Sequence, residues 1–187
     1  DSFSKGFIGD DTLKELLKAF VEFQKVFIKH NVKYYKAVAT SALRDARNKE
    51  ELQDLIFSTS HIQLDIIDGK EEARLVHLGV SHVEDISEKK ALIIDIGGGS
   101  VEFIVSNKRE IENFYSYNMG TVRLLQKLKN KKMHELKSYL QTEIRQSFRS
   151  IWRYRGFFDT DPSKKAFIGT GGNIKALNKL SNNLFKG

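Results

Sequence analysis

The stretch Leu92–Phe103 reads LIIDIGGGSVEF: apolar residues around one aspartate, three glycines and a serine, then a second apolar run. A plain hairpin needs only one or two residues with positive φ, and each further glycine costs backbone entropy on folding. The loop Gly97–Gly98–Gly99–Ser100 has almost no side chains, so its bare amides can approach phosphate oxygens closely, with the Ser100 hydroxyl as a further donor. Asp95 stands on the strand end just before the loop, where a carboxylate can hold a divalent cation. Mg²⁺ takes one or two carboxylates together with phosphate oxygens and water. The plain alternative is a glycine-rich bend between strands. Neither GxxxxGK[ST] nor GxGxxG occurs, and a strand, not a helix, is expected after the loop.

A second glycine run, GTGG at Gly169–Gly172, follows an apolar stretch and precedes NIKALNKL. There the amides of Gly171 and Gly172 would open a helix, which makes an anion site. Alone it reads equally well as a strand-to-helix turn; a second glycine loop in one chain gives it weight. Glu71 and Glu72 are adjacent, so on a helix they point about 100° apart and one of them at most faces a given site. A carboxylate of this kind can serve as general base for water attack on phosphorus; an exposed helix carboxylate is the ordinary alternative. Arg44, in ATSALRDA, is expected just past a strand end. Its guanidinium can clamp phosphate oxygens in bidentate fashion or pair with Asp45 or the next turn. The histidines at 30, 61, 77, 82 and 134 show neither HxxxH nor HExxH spacing and read as surface or core residues.

The elements that must position these groups can be read from periodicity. A helix is expected from Thr12, with Asp10 and Asp11 as caps and Thr12 with Glu15 as a capping box. Lys33–Ala39 and Leu64–Ile67 read as strands, with a turn and helix from Ser41 between them, and KEEARLVHLGV reads as a helix. Ala91–Ile96, Val101–Val105 and EIENFYSY read as a three-stranded meander, with its second turn at Ser106–Arg109. Met133, Leu136, Leu140, Ile144, Phe148 and Ile151 keep helical spacing. After the Pro162 loop come a strand over Lys165–Ile168, the GTGG loop and a last helix opened by NIKALNKL. Strands alternating with helices give an α/β class, with a boundary near Leu75–Val76: residues 1–75 form one lobe and 76–187 another.

With 40% hydrophobic residues among 187, the chain can build a core. It has no cysteine, which excludes a disulfide framework and suits a reducing compartment. No apolar stretch approaches the ~18 residues of a membrane span. The net charge of +7 is unevenly spread: residues 121–187 carry 15 Lys and Arg against 4 Asp and Glu, whereas residues 1–120 carry 16 against 20. A basic half of this kind suits a polyanion; a solvated basic surface is the alternative.

ATSALRDARN, DGKEEARLVHLGV, DIGGGSVEF, NMGTVRL and GTGGNIKAL occur in this order. Together they resemble the exopolyphosphatase / guanosine pentaphosphate phosphohydrolase family, and the strand–glycine–strand form resembles the phosphate loops of actin-like and Hsp70-like ATPases. The resemblance implies an actin-like (ribonuclease H-like) two-lobed fold with the site in the cleft between the lobes. It implies Mg²⁺-assisted release of the terminal phosphate of inorganic polyphosphate or guanosine pentaphosphate. On this chain the family's catalytic glutamate falls on Glu72, and its metal-associated residues on Asp95 and, more weakly, Glu102. The phosphate ligands fall on Arg44, Gly97, Gly98, Gly99 and Ser100, with Gly171 and Gly172 from the second loop. Nothing in the chain matches the family's first phosphate loop, DxGSNS, so lobe one is expected to be incomplete here. A cytoplasmic location is expected, and the resemblance leans towards a homodimer; no nucleic-acid or membrane partner is expected. A non-catalytic polyphosphate- or alarmone-binding module, and an actin-like ATPase or kinase, are the alternatives.

Overall fold

The computed structural model describes residues 2–129, 132–152 and 155–176. They divide into two compact units, Asp1–Asp68 and Gly69–Gly187.

In the first unit the order is α1 (Ser2–Lys5), α2 (Asp10–Lys29), β1 (Ala37–Ala39), α3 (Ser41–Arg44), α4 (Lys49–Ser60) and β2 (Leu64–Ile66). β1 and β2 pair in parallel, with Ala37 opposite Leu64 and Ala39 opposite Ile66. Leu13, Leu16, Leu17 and Phe20 recur at helical spacing along α2 and pack against the buried Ile8, Leu43, Leu52, Ile56 and Leu64. The start of α2 differs from expectation. It begins at Asp10, with Gly9 as N-cap and no side-chain cap. Thr12 therefore lies inside the first turn and cannot form the capping box with Glu15, while Asp10 and Asp11 complement the positive end of the helix dipole instead. The expected strand Lys33–Ala39 shrinks to its last three residues because β2 offers only three partners.

In the second unit α5 (Gly69–Val83) leads to β3 (Lys90–Ile96), β4 (Val101–Asn107) and β5 (Glu110–Tyr117). Then come α6 (Thr121–Leu128), α7 (Met133–Trp152), α8 (Arg155–Phe158), a 3-10 turn (Pro162–Lys164) and β6 (Lys165–Thr170). The expected boundary at residues 75–76 falls within α5, and the division into units falls ahead of that helix. The sheet order is β5-β4-β3-β6, antiparallel except that β6 runs parallel to β3. The second turn of the meander is only Lys108–Arg109, both with positive φ (49° and 69°), so β4 runs on to Asn107. Left-handed residues at both central positions match the twist of the flanking strands. The side chains of Met133, Leu136, Phe148 and Ile151, expected on the apolar face of α7, lie outside the described residues, as do residues 177–180 of the last helix. No helix among the described residues is long and apolar enough to cross a membrane.

One face of this sheet carries Ala91, Ile93 and Ile104, which pack with Ala73, Val76 and Val80 of α5. The other face carries Leu92, Val105, Val101 and Phe103, with Phe157 of α8 against the first two. His77 lies on the buried side of α5, its Nε2 without a partner among the described residues, and burial lowers its pKa. Below the unfolded-state value of about 6.5 the unfolded chain takes up a proton that the folded chain refuses. Stability is therefore expected to fall on acidification from pH 7 to 5.5, by up to about 1.4 kcal/mol per pH unit from this one group. Urea denaturation of the parent and of His77→Leu checks it: the variant should lose that slope.

Candidate active site

The face packed by α5 is apolar along most of its length and becomes polar at one end. There Thr170, Asp95, Glu102 and Ser116 stand in register across all four strands. Directly paired residues point to the same side of a sheet, so these four side chains form one row, continuing the Ile168–Ile93–Ile104–Phe114 row below it. The row is hydrogen-bonded. Thr170 Oγ1 donates to Asp95 Oδ1 at 2.6 Å, and Ser116 Oγ to Glu102 Oε1 at 2.9 Å. β6 is longer than expected, taking in Gly169 and Thr170, and that extension brings Thr170 opposite Asp95.

Glu102 is fully buried and its Oε2 has no partner among the described residues. Burial drives its pKa up, and the charges of Glu72 and Asp95 push the same way; hydrogen bonds from Ser100 and Ser116 oppose them. The N-terminal end of α5 lies against this row: a Cβ on Gly69 would sit 3.0 Å from Ser116 Cβ. The two adjacent glutamates on its first turn have separate settings. Glu71 forms a two-point ion pair with Arg74, at 2.7 and 2.8 Å. Glu72 is half-buried, near enough to Glu102 for its charge to be felt there.

The glycine loop crosses from β3 to β4 at the end of the row. None of its glycines adopts the left-handed conformation, so conformational freedom is not why they are there. Close approach is. A Cβ on Gly120, the N-cap of α6, would lie 2.4 Å from backbone atoms of Gly98 and Gly99. Amides at the start of α6 donate to the loop's carbonyls: Gly120 to Gly99, Thr121 to Gly97, and Val122 and Arg123 to Gly98, at 2.8 to 3.2 Å. The loop's own Gly97 amide bonds Ser100 O at 3.1 Å, whereas the amides of Gly98, Gly99 and Ser100 have no acceptor among the described residues. The acceptor side of the loop is spent and donors are left, which is what an anion needs. Ser100 is buried, near enough to Glu102 to lower its pKa.

Gly171, in the second loop, has φ +93°, and a Cβ there would sit 2.6 Å from Ile96 O and 3.1 Å from Asp95 Oδ1. It closes against the end of β3. Gly172 has open space about it and begins the helical residues 172–176. The second unit thus brings together Glu72, Asp95, Gly97, Gly98, Gly99, Ser100, Glu102, Gly171 and Gly172. Arg44 belongs to the first unit, where its Nη1 donates to Ile67 O at 2.8 Å. Sequence reasoning missed Gly120, Thr121, Arg123, Thr170 and Asn173. The signal was present, since NMGTVRL and GTGGN contain them, but neither segment states which loop it touches. No cluster of three or more metal-ligating side chains occurs among the described residues. Two carboxylates do stand side by side, Asp95 and Glu102, an oxygen-only set with one orphaned buried oxygen, and this fits a hard cation that takes its remaining ligands from phosphate and water.

The chain is similar to an exopolyphosphatase from Cytophaga hutchinsonii, 28% identical with a TM-score of 0.83 over 97% of this chain and 58% of that one. A Ppx/GppA family member from Aquifex aeolicus, 23% identical with a TM-score of 0.69, shares the fold over 100% of this chain and 58% of its own. A bifunctional 3-dehydroquinate synthase/phosphatase of Fusobacterium nucleatum is 34% identical over 124 residues, which is 65% of this chain and 19% of that protein. The chain therefore spans little more than half the length of these solved structures. The model of the Ppx/GppA phosphatase family matches residues 3–183. From that match and from the likeness in fold, the chain belongs to the Ppx/GppA phosphatase family and has its α/β, actin-like (ribonuclease H-like) fold.

Proposed function

We propose that this chain carries the phosphoryl-binding and catalytic groups of a phosphoanhydride hydrolase that releases the terminal phosphate of inorganic polyphosphate or guanosine pentaphosphate. The observation that carries the reading is the meeting of a donor-rich glycine loop, a carboxylate row and Glu72 at one end of one sheet. The amides of Gly98, Gly99 and Ser100 would hold the oxygens of the transferred group, with those of Gly171 and Gly172 beside them. Fixed donors of this kind stabilise charge that develops in the transition state, where positioning and electrostatics supply most of the catalysis of phosphoryl transfer. Glu72 would accept the proton of the attacking water; Glu71, tied to Arg74, is not available for it. Asp95 and Glu102 would hold Mg²⁺, which when bound neutralises phosphoryl oxygens. For Arg44 the role of phosphate ligand rests on the resemblance alone.

The test is orthophosphate release from polyphosphate and from guanosine pentaphosphate, with Mg²⁺ and with EDTA, by the longest chain its gene encodes. Metal-dependent release with one substrate preferred is the expected result. Binding without release would make the chain a polyphosphate- or alarmone-binding module, and the hydrolase reading would fail.

A further inference from the structure

The glycine loop has no side chain to fix its own shape, and its carbonyl oxygens would repel a phosphate if they turned outward. Groups from outside the loop prevent both. Backbone amides of α6 hold the carbonyls, and three side chains complete the attachment. Arg123 Nε donates to Gly99 O at 2.6 Å, the shortest hydrogen bond of the loop among the described residues. Asn173 Nδ2 donates to Ile96 O at 3.2 Å, at the entry to the loop, and to Thr121 Oγ1 at 3.1 Å. The Thr121 hydroxyl, accepting from Asn173, keeps its own proton for Gly97 O at 3.5 Å. Asn173 lies two residues beyond Gly171, so these bonds run from the second glycine loop through Thr121 to the first.

We propose that Arg123 and Asn173 are positioning residues, which clamp the carbonyl side of the Gly97–Ser100 loop and lock it to the Gly171–Asn173 turn so that the amides of both loops are preset for one phosphoryl group. The inference rests on the phosphate-binding reading above. The physical gain is preorganisation: donors already aimed cost no reorganisation when the anion arrives. The Arg123 guanidinium also draws charge from the Gly99 carbonyl, through a charge-assisted bond stronger than a neutral one. Thr121, with Oγ1 acting as acceptor and donor at once, is what makes the two loops a single body.

The test separates loop order from activity. Amide spectra of the ¹⁵N-labelled chain without ligand report the Gly97–Ser100 loop directly, and calorimetry with tripolyphosphate reports anion binding. Arg123→Met and Asn173→Asp are expected to shift and broaden the Gly98 and Gly99 signals while the amides of Ile93 and Ile104 in the sheet stay protected. Each should weaken tripolyphosphate binding roughly ten-fold, through loss of one charge-assisted bond in Arg123→Met and of two neutral bonds in Asn173→Asp. Thr121→Val, isosteric but without the hydroxyl, should behave likewise, and Thr121→Ser should restore both readouts. Unchanged loop signals in both variants would overturn the proposal. So would weaker binding with an undisturbed loop, because Arg123 would then act on the phosphate itself. If the longest chain its gene encodes binds no tripolyphosphate either, the phosphate-binding reading falls, and the loop signals alone still decide whether the clamp exists.

Discussion

Glu72→Gln is expected to lower orthophosphate release by 10²-fold or more while leaving substrate affinity unchanged or slightly raised. A positioned general base contributes roughly 10²–10⁴-fold to a rate, and glutamine keeps the size of the side chain while removing the basic oxygen. The direction of the affinity change follows from charge. Glu72 adds negative potential beside Glu102, close to where the polyanion would sit in the proposed reaction, and its removal would relieve repulsion. The loss should therefore appear in kcat and not as a higher KM, the pattern of a group that acts in the transition state alone. Glu71→Gln is the matched control. Its carboxylate is held by Arg74 at 2.7 Å on an exposed turn, so its removal costs only a solvent-screened ion pair and little activity. Steady-state phosphate release by the two variants and the parent decides the matter: equal losses would remove Glu72 from the role of base, and a Glu72→Gln enzyme within a few-fold of the parent would do the same.

The two glutamates show why some of the site could be read in the sequence and some could not. Helix geometry says that Glu71 and Glu72 diverge, and the i,i+3 spacing of Glu71 and Arg74 already offers the pair that the structure contains. The choice was present in local spacing. The Asp95–Glu102 pairing is equally local: a four-residue loop between Ile96 and Val101 fixes the register for the whole hairpin. The parallel pairing of β3 with β6 is not local. It joins residues 75 apart in the chain through the Thr170–Asp95 bond, and no periodicity in either strand states which residue will stand opposite which. The same limit hid the role of α6. NMGTVRL is legible only as a motif, and only the packed chain shows that it opens α6, whose first amides meet the carbonyls of a loop more than twenty residues earlier. The helix start at α2 failed for a different reason. Thr12 and Glu15 match a capping box by type and spacing, but the helix begins two residues before them, and a cap acts only from the residue that precedes the first turn.

Gly120→Ala is the substitution expected to harm the fold of the site most. Gly120 has φ −64° and ψ 157°, a conformation open to any residue, and on backbone grounds alone alanine would stabilise by about 0.4–1 kcal/mol through the unfolded chain. Space decides the opposite. The new methyl carbon would lie 2.4 Å from Gly98 C, Gly99 N and Gly99 C, all backbone atoms of a loop that is bonded on one side to α6 and continues on the other into β4. No rotamer can relieve the overlap, so either the loop or the first turn of α6 must move, and the bonds from Gly120 and Thr121 to Gly99 and Gly97 break with it. Overpacking of this kind costs about 1–3 kcal/mol or more, which for a chain of this size lowers Tm by roughly 2–4 °C for each kcal/mol. Gly79→Ala supplies the contrast within one protein. Gly79 lies mid-helix on α5 with nothing within 4 Å of the added carbon, and alanine there should raise stability by about 0.5–1 kcal/mol. Thermal denaturation of the two variants should thus move in opposite directions, and Gly120→Ala should also lose tripolyphosphate binding while Gly79→Ala keeps it. A Gly120→Ala chain as stable as the parent would mean that α6 does not press on the glycine loop as closely as 2.4 Å implies, and that the loop keeps its shape by other means.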